Sequence, residues 1–366
     1  MTNERILTIG LNTLPGLRAG AAHAAFERFG AAAAILAAPV EALTAVRGIG
    51  PGLAAAVHGL DAARAGEAEE RRARDQGASI LTLADPGYPA RLRSIPDPPR
   101  VLYLRGTLAP GDDNGFAVVG ARAATAYGRT IAGRLARGIA AAGLPVVSGL
   151  ARGIDGCAHR GALAAGGRTL AVLGAGLDRL YPPEHARLAD EVAASGALIS
   201  EFPCGAEPEA WHFPLRNRVI SGLARGVVVV EAAERSGALV TADMALEQGR
   251  DVFAVPGPVT SPLSAGPNRL IRQGAGLVGD AGDLLEAFPD LAQRLPATAA
   301  ATVAGGGTAL DERERRLLEV IGAAPRPIDD IIRDCAGPAA STTALLTALE
   351  LRGLVQQYPG KIFARI

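Results

Sequence analysis

The feature that most constrains the fold is a regular alternation of short apolar runs with helical stretches, which begins at Phe116. The runs have the near-continuous apolar character of strands buried on both faces of a parallel sheet. They are Phe116–Val119, Pro145–Ser148, Thr169–Leu173, Ala197–Glu201, Val227–Glu231 and Val252–Val255. Helical stretches at about 125–142, 154–165, 184–195, 216–224 and 237–248 separate them. Right-handed crossovers then predict an α/β fold, an extended Rossmann-like, doubly wound and mostly parallel sheet.

Smaller helical domains are predicted before and after this sheet along the chain. Residues 1–76 show no strand period, and their Gly48-Ile49-Gly50 turn is typical of a helix–hairpin–helix. The same turn can hold a DNA phosphate or serve packing alone, and the sequence leaves both open. Residues 77–295, with further strands at Ile80–Leu83 and Val101–Leu104, form the predicted Rossmann-like domain. The Ala-, Thr- and Gly-rich stretch 296–309 is typical of a flexible linker.

Residues 310–366 have the outline of a winged helix, with three helical segments and a hairpin between Val355 and Phe363. The third helix would read a major groove, where Arg, Lys, Asn or Gln usually contact the bases. No basic residue occurs from Pro338 to Leu351. This favours a winged helix with a structural or protein-binding role over a duplex reader.

The charge balance excludes a generic basic patch. The 366 residues carry 37 basic and 37 acidic side chains, so nucleic-acid binding would need locally focused charge. The three cysteines are too scattered for a metal cluster or a disulfide framework. No signal peptide or membrane-spanning run is visible, and a cytoplasmic protein is expected.

Glycine, serine and arginine residues follow several predicted strands and start the adjoining helices. Ligands of open α/β sheets bind beyond the carboxyl ends of the strands, where glycine lets backbone N–H groups approach an anion and Arg matches phosphate oxygens. The expected groove residues are Gly120, Arg122, Ser148, Gly149, Arg152, Arg216, Asn217, Arg218, Ser236, Gly237, Thr241, Gly257 and Asn268. Each has a plainer reading, since glycines make ordinary turns and Arg216 and Arg218 could form ion pairs.

Aromatic side chains surround the start of the Arg216 helix. Phe202, Trp211 and Phe213 are candidate base-stacking residues, because every base has a face that stacks on an aromatic ring. The alternative is that Phe202 and Phe213 belong to the core and that Trp211 is a lid or interface residue.

Motifs for catalysis and cofactors are missing from the sequence. It has neither a Gly-x-Gly-x-x-Gly followed by a ribose-binding acid nor a Walker-type loop, so no cofactor is expected. No nucleophile elbow or metal-ligand cluster occurs. Asp155 and His159 share a helical face, where a structural pair is favoured over catalysis. Neither catalytic nor metal-binding residues are predicted.

In this order, the motifs resemble the DNA-processing protein A family (DprA, also called Smf) of bacteria. The resemblance covers the whole chain. It is carried by Val119-Gly120-Ala121-Arg122, Ser148-Gly149-Leu150-Ala151-Arg152-Gly153-Ile154-Asp155, Gly176-Leu177-Asp178 with Tyr181-Pro182, Ser200-Glu201, Phe213-Pro214-Leu215-Arg216-Asn217-Arg218, Ser236-Gly237 and Pro256-Gly257.

The resemblance implies a non-enzymatic function. Such proteins bind and protect incoming single-stranded DNA and load the RecA recombinase during natural transformation, often as homodimers through the Rossmann domain. It also implies a sterile-alpha-motif-like N-terminus. One departure concerns the loop after Ser200-Glu201, where the family commonly has a Lys and this chain has Pro203-Cys204-Gly205-Ala206.

Two other functions stay open. Nucleotide phosphoribohydrolases of the lysine-decarboxylase-like group have a similar core, but their Gly-Gly pair and catalytic Glu spacing are absent from the turn Glu234 to Asp243. An adaptor with a vestigial groove is the other. The sequence does not locate a surface for RecA.

Overall fold

The computed structural model describes residues 4–292, 312–322, 324–335, 338–351, 354–358 and 360–365. Contacts divide the chain into two compact units, Met1–Ala304 and Gly305–Ile366. Within the described ranges, no helix is both long and apolar enough to cross a membrane.

Six helices open the first unit. They are α1 (Glu4–Asn12), α2 (Ala19–Phe29), α3 (Ala32–Ala37), α4 (Val40–Thr44), α5 (Pro51–His58) and α6 (Ala62–Asp75). Leu11, Leu43 and Val57 form part of their apolar core. The hairpin between α4 and α5 is an exposed turn in which Gly48 has a φ of +89°, a value that favours glycine. A second turn of this kind joins α1 to α2.

A nine-stranded sheet forms the centre of the first unit. Its strands are β1 (Ser79–Thr82), β2 (Val101–Gly106), β3 (Phe116–Val119), β4 (Val146–Ser148), β5 (Thr169–Val172), β6 (Ala197–Ser200), β7 (Gly226–Val229), β8 (Asp251–Ala254) and β9 (Gly276–Leu277). They lie in the order β1-β2-β6-β5-β4-β3-β7-β8-β9. The strands from β3 to β9 pair in parallel, whereas β1 and β2 add an antiparallel edge. The predicted doubly wound, mostly parallel sheet is confirmed.

Helices cover both faces of this sheet. They are α7 (Ala90–Arg93), α8 (Ala126–Ala141), α9 (Ile154–Ala164), α10 (Ala186–Ser195), α11 (His212–Leu223), α12 (Gly237–Glu247), α13 (Ala265–Arg272), α14 (Ala281–Ala287) and α15 (Pro289–Ala292). One core contains Val219 of α11 and Leu239 of α12, and another contains Leu135 of α8 and Ala158 of α9. Helix α11 starts four residues earlier than predicted, which places His212 and Phe213 on its first turn.

The second unit is a small winged helix, as predicted. It consists of α16 (Glu312–Ile321), β10 (Arg326–Pro327), α17 (Ile328–Cys335), α18 (Ala339–Leu351), β11 (Val355–Tyr358) and β12 (Ile362–Arg365). The strands form an antiparallel sheet in the order β10-β12-β11. Leu318, Ile331 and Phe363 pack together in its core. The predicted linker 296–309 lies outside the described residues.

Candidate nucleic-acid interface

Arg122 follows β3 and is exposed at the carboxyl edge of the sheet. Its guanidinium carbon lies 5.0 Å from the centroid of the Phe213 ring. Among the described residues, no carboxylate lies within ion-pair distance of Arg122. A guanidinium that stacks on an aromatic face keeps its N–H groups available for an anion. Arg122 is therefore a cation ready for a phosphate.

The turn from β4 to α9 is held rigidly by buried groups. The Ser148 hydroxyl is fully buried and donates to the Val118 carbonyl oxygen at 2.7 Å. The Asp155 carboxylate accepts from the Gly149 N–H at 3.1 Å and from the Ala151 N–H. Burial raises the pKa of Asp155, while the nearby Arg216 guanidinium acts in the opposite direction. Ser148 and Gly149 thus shape the turn, and the Ser148 side chain faces away from solvent.

Gly153 ties this turn to the preceding one. Its φ is +73°, and an added Cβ would lie 2.2 Å from the carbonyl oxygen of Ala121. The Ile154 N–H also donates to Ala121 O at 3.2 Å. The loops that carry Arg122 and Arg152 are consequently fixed relative to each other.

Arg152 is half-exposed on the outer side of this turn and has two partners. Its Nη2 donates to Glu184 Oε2 at 3.1 Å, and its guanidinium carbon lies 5.6 Å from the centre of the Tyr181 ring. These contacts raise the pKa of Arg152, chiefly through the hydrogen bonds to Glu184. Exposed pairs of this kind contribute little free energy, so a phosphate can replace Glu184 at low cost.

Arg216 is buried beneath the turn. Its Nη1 donates to the Gly149 carbonyl oxygen at 2.7 Å and also to that of Val172, and its Nε donates to Asn217 Oδ1. Burial lowers the pKa of Arg216 to about 10, which still leaves the guanidinium charged at neutral pH. Arg216 thus supports the groove from below and adds positive potential without being exposed.

Arg218 and Asn217 are also buried. Arg218 forms ion pairs with Glu201 and, at 3.1 Å, with Asp97. Asn217 Nδ2 donates to the Gly237 carbonyl oxygen at 3.3 Å, which links α11 to the start of α12. The plainer reading, an internal ion pair, fits Arg218, which does not line the depression that contains Arg122.

The three candidate stacking residues separate into two groups. Phe213 lies at the edge, 5.7 Å from the Tyr181 ring. Phe202 is buried, and its ring centroid lies 6.4 Å from that of Trp211. Only Phe213 lies beside Arg122 and Arg152, and Trp211 lines a different cleft.

The remaining predicted residues lie along the other side of the edge. Ser236 caps α12 by accepting from Ala238 N–H, and Gly237 is exposed at its first turn. Thr241 is buried, with its hydroxyl directed to Gly237 O at 3.4 Å. Asn268 exchanges two hydrogen bonds with the Gly257 backbone. None of these five residues lines the depression that contains Arg122.

Gly120 has a packing role, since an added Cβ would lie 2.6 Å from the side chain of Ile154. The crevice between β3 and β7, where the strand order reverses, is filled by the buried Glu231 carboxylate. Glu231 accepts hydrogen bonds from the N–H and hydroxyl of Thr125. The available surface therefore lies above β3, β4 and β5.

Tyr181 and Glu184 complete the edge, although residue-by-residue reasoning did not select them as site residues. The residues Arg122, Gly149, Ala151, Arg152, Tyr181, Pro182 and Phe213 share one shallow depression. The Tyr181-Pro182 motif is the sequence signal that indicates Tyr181. It lies in the loop that follows β5, and this loop runs beside the edge. Within the described residues, no group of three or more His, Cys, Asp or Glu is arranged to hold a metal.

Comparison with known proteins also points to a DNA-processing family. The family described as DNA recombination-mediator protein A matches residues 79–289, and a DprA winged helix domain matches residues 296–361. Protein Smf of Escherichia coli is 43% identical over 296 residues, which cover 75% of this chain and 74% of that protein. DNA processing protein DprA of Bacillus subtilis is 46% identical over 220 residues, which cover 59% of this chain and 73% of its own length.

Solved structures agree with these sequence relatives. DNA processing protein A from Streptococcus pneumoniae matches with a TM-score of 0.68 and 35% identity, covering 79% of this chain and 99% of that one. DNA processing protein A from Helicobacter pylori, whose structure concerns its single-stranded DNA binding mode, matches with a TM-score of 0.53 and 27% identity, covering 58% and 96%. With its matching domains, relatives and fold, the chain belongs to the DNA recombination-mediator protein A (DprA/Smf) family.

Proposed function

We propose that this chain binds single-stranded DNA without sequence preference at the carboxyl edge of its sheet. The observation that carries the proposal is the placement of the Arg122 and Arg152 guanidinium groups beside the Phe213 and Tyr181 rings. Phosphates can pair with the guanidinium groups while bases stack on the rings. Such contacts use features that all nucleotides share.

A single strand suits this edge better than a duplex. The depression is shallow and narrow, and stacking on Phe213 or Tyr181 requires an unpaired base whose face is free. The net charge of zero also limits non-specific attraction, so the local Arg residues must supply the electrostatic affinity. The Helicobacter pylori relative, described for its single-stranded DNA binding mode, supports this choice.

The biological role that we propose is non-enzymatic. The chain would protect incoming single-stranded DNA and load RecA onto it during natural transformation and recombination, acting as a homodimer through the Rossmann domain. The family description as a recombination mediator supports this role. The exposed edge offers cations and rings, and among the described residues its Glu184 carboxylate is engaged by Arg152.

A fluorescence-anisotropy titration of labelled oligo-dT at two salt concentrations tests the binding. We expect salt-dependent binding that weakens strongly in Arg122→Ala and Arg152→Ala. Arg187→Ala is the matched control, because Arg187 is an exposed Arg that pairs with Glu191 on α10. No binding at low salt, or equal affinity in all variants, would contradict the proposal.

The proposed partners need separate measurements. Sedimentation of the full chain, with and without oligo-dT, tests for the homodimer. RecA filament formation on a protein-coated oligonucleotide, followed with and without this chain, tests for loading. A monomer at all concentrations would contradict the homodimer. A rate of RecA filament formation that the chain does not change would contradict RecA loading.

A further inference from the structure

A second cleft, of about 380 Å³, lies within the first unit between the helical segment and the sheet. The turn from α1 to α2 forms one side of it, and the loop from Glu201 to His212 forms the other. The edge depression at Arg122 shares no residue with this cleft. The cleft is thus a separate space that the proposed groove does not use.

Trp211 provides an aromatic surface in this cleft. The side chain is 39% exposed although it lies among buried neighbours. The His212 and Phe202 rings meet it edge-on at 4.1 and 6.4 Å, which fixes its orientation. Such a fixed and accessible ring is suited to stacking by a flat ligand.

A free cation lies over this ring. The Arg18 guanidinium is exposed and lies 4.9 Å from the Trp211 ring centroid. None of the ion pairs among the described residues involves Arg18. It is also the N-cap of the 11-residue helix α2, and no side chain caps that helix. A phosphate at this point would meet both a guanidinium group and the positive end of a helix.

Carboxylates in the cleft favour a base over a phosphate in its interior. Glu201 lines the cleft, but its carboxylate is only 9% exposed and is paired with Arg218. Glu209, also in the lining, accepts from Trp211 Nε1. The exposed carboxylates of Glu207 and Glu209 repel a phosphate in the cleft, but they can accept from the N–H groups that each base carries on its edge.

The cleft and the edge are neighbours at the start of α11, where Trp211 is the N-cap residue and has helical backbone angles. Trp211 and Phe213 are two residues apart, and side chains at this spacing point to nearly opposite sides of a helix. Trp211 accordingly lines the cleft while Phe213 stacks with Arg122. A strand bound at Phe213 needs only to cross the start of α11 to reach Trp211.

We propose that this cleft binds one nucleobase of the same DNA strand, stacked on Trp211, with the adjoining phosphate at Arg18. This inference rests on the proposed function, and it makes the helical segment part of the DNA path. The ligand class is an unpaired nucleotide within a strand.

Intrinsic fluorescence provides a direct test, because Trp211 is the only tryptophan of the chain. Oligo-dT should quench this fluorescence, whereas an oligonucleotide of equal length with abasic sites should leave it nearly unchanged. Anisotropy of the labelled strand reports binding to the edge in the same sample. Arg18→Ala should weaken oligo-dT binding several-fold. Arg28→Ala is the control, since Arg28 is an exposed Arg of the same helix that stacks on Phe29 outside the cleft.

The outcomes separate the two proposals. An anisotropy increase with unchanged fluorescence, or equal quenching by the abasic strand, would overturn the cleft assignment and leave the edge proposal intact. Quenching by free dTMP without binding of the strand would overturn strand binding in favour of a free nucleotide. If the oligonucleotide changes neither the anisotropy nor the fluorescence, both proposals are overturned.

Discussion

Arg216 and Gly149 are joined across one turn, with the Arg216 Nη1 atom 2.7 Å from the Gly149 carbonyl oxygen. A Cβ added at Gly149 would lie 2.4 Å from that Nη1, so only glycine leaves room for the guanidinium. The buried Arg therefore supports the backbone that presents Arg152. This relationship separates residues that build the groove from residues that would contact DNA.

Arg216→Met should destabilise the protein by about 3 kcal/mol. It leaves the Gly149 and Val172 carbonyl groups without their donor and the buried Asp155 without its countercharge. Urea unfolding measures the difference. The matched control is Arg122→Met, where an exposed side chain predicts a change within about 0.5 kcal/mol. Equal stability of the two variants would show that Arg216 does not support the turn.

Arg122→Ala should lower the affinity for oligo-dT about tenfold and leave the unfolding midpoint unchanged. The side chain is exposed, and losing one phosphate contact should reduce the salt slope of log K by roughly one. Anisotropy titrations at several salt concentrations give both quantities. Arg122→Lys should recover part of the affinity, since it keeps the charge but loses the planar contact with Phe213. A salt slope identical to that of the wild type would exclude a phosphate contact at Arg122.

Glu184→Gln should tighten binding a few-fold at low salt. Glu184 holds Arg152 in the free protein and competes with the phosphate, and the amide removes that competing charge. The gain should shrink as salt screens the pair. Glu191→Gln, which changes the pair with Arg187 on α10, serves as the control in the same titration. Weaker binding in Glu184→Gln would mean that Glu184 orients Arg152 for the DNA.

The stability of the protein should fall as the pH drops below about 6.5. Burial lowers the pKa of His159 from 6.5 to about 3, so the unfolded chain binds a proton there that the folded chain does not. Between these two pH values the unfolded state holds more protons, and stability rises with pH by up to about 1.4 kcal/mol per unit. Urea unfolding at pH 7 and pH 5 should show this loss.

His159→Asn provides the comparison for that pH dependence. The variant loses the 2.7 Å contact between His159 Nδ1 and Thr169 Oγ1 and is less stable at pH 7. Its stability should nevertheless depend less on pH than that of the wild type. Parallel pH profiles for both proteins would assign the acid sensitivity to another group.

The order of strands and helices follows directly from the sequence. Apolar runs such as Phe116–Val119 could only be buried on both faces, and the helices between them required parallel strands. The winged helix was predictable for the same reason, because short-range periodicity specifies each of its elements. The two-residue strand β9 escaped prediction, since two residues carry no period.

The functional edge was predictable as a region but not residue by residue. Sequence placed Arg122, Arg152, Arg216 and Arg218 at the carboxyl ends of the strands, because these ends meet at one edge. It could not tell the exposed guanidinium groups from the buried ones. Exposure depends on contacts between distant segments, such as the pair between Arg218 and Glu201 or the position of Arg216 under Gly149.

The sequence alone determined the α/β alternation, the glycine turns and the family resemblance, because each depends on residues that are close along the chain. Tertiary structure alone decided that Phe213 joins Arg122 while Trp211 joins Arg18 across a different cleft. The two rings are two residues apart, yet the helical backbone from the N-cap residue Trp211 into α11 directs them to different surfaces. What each surface contains is set by packing between segments far apart in the chain.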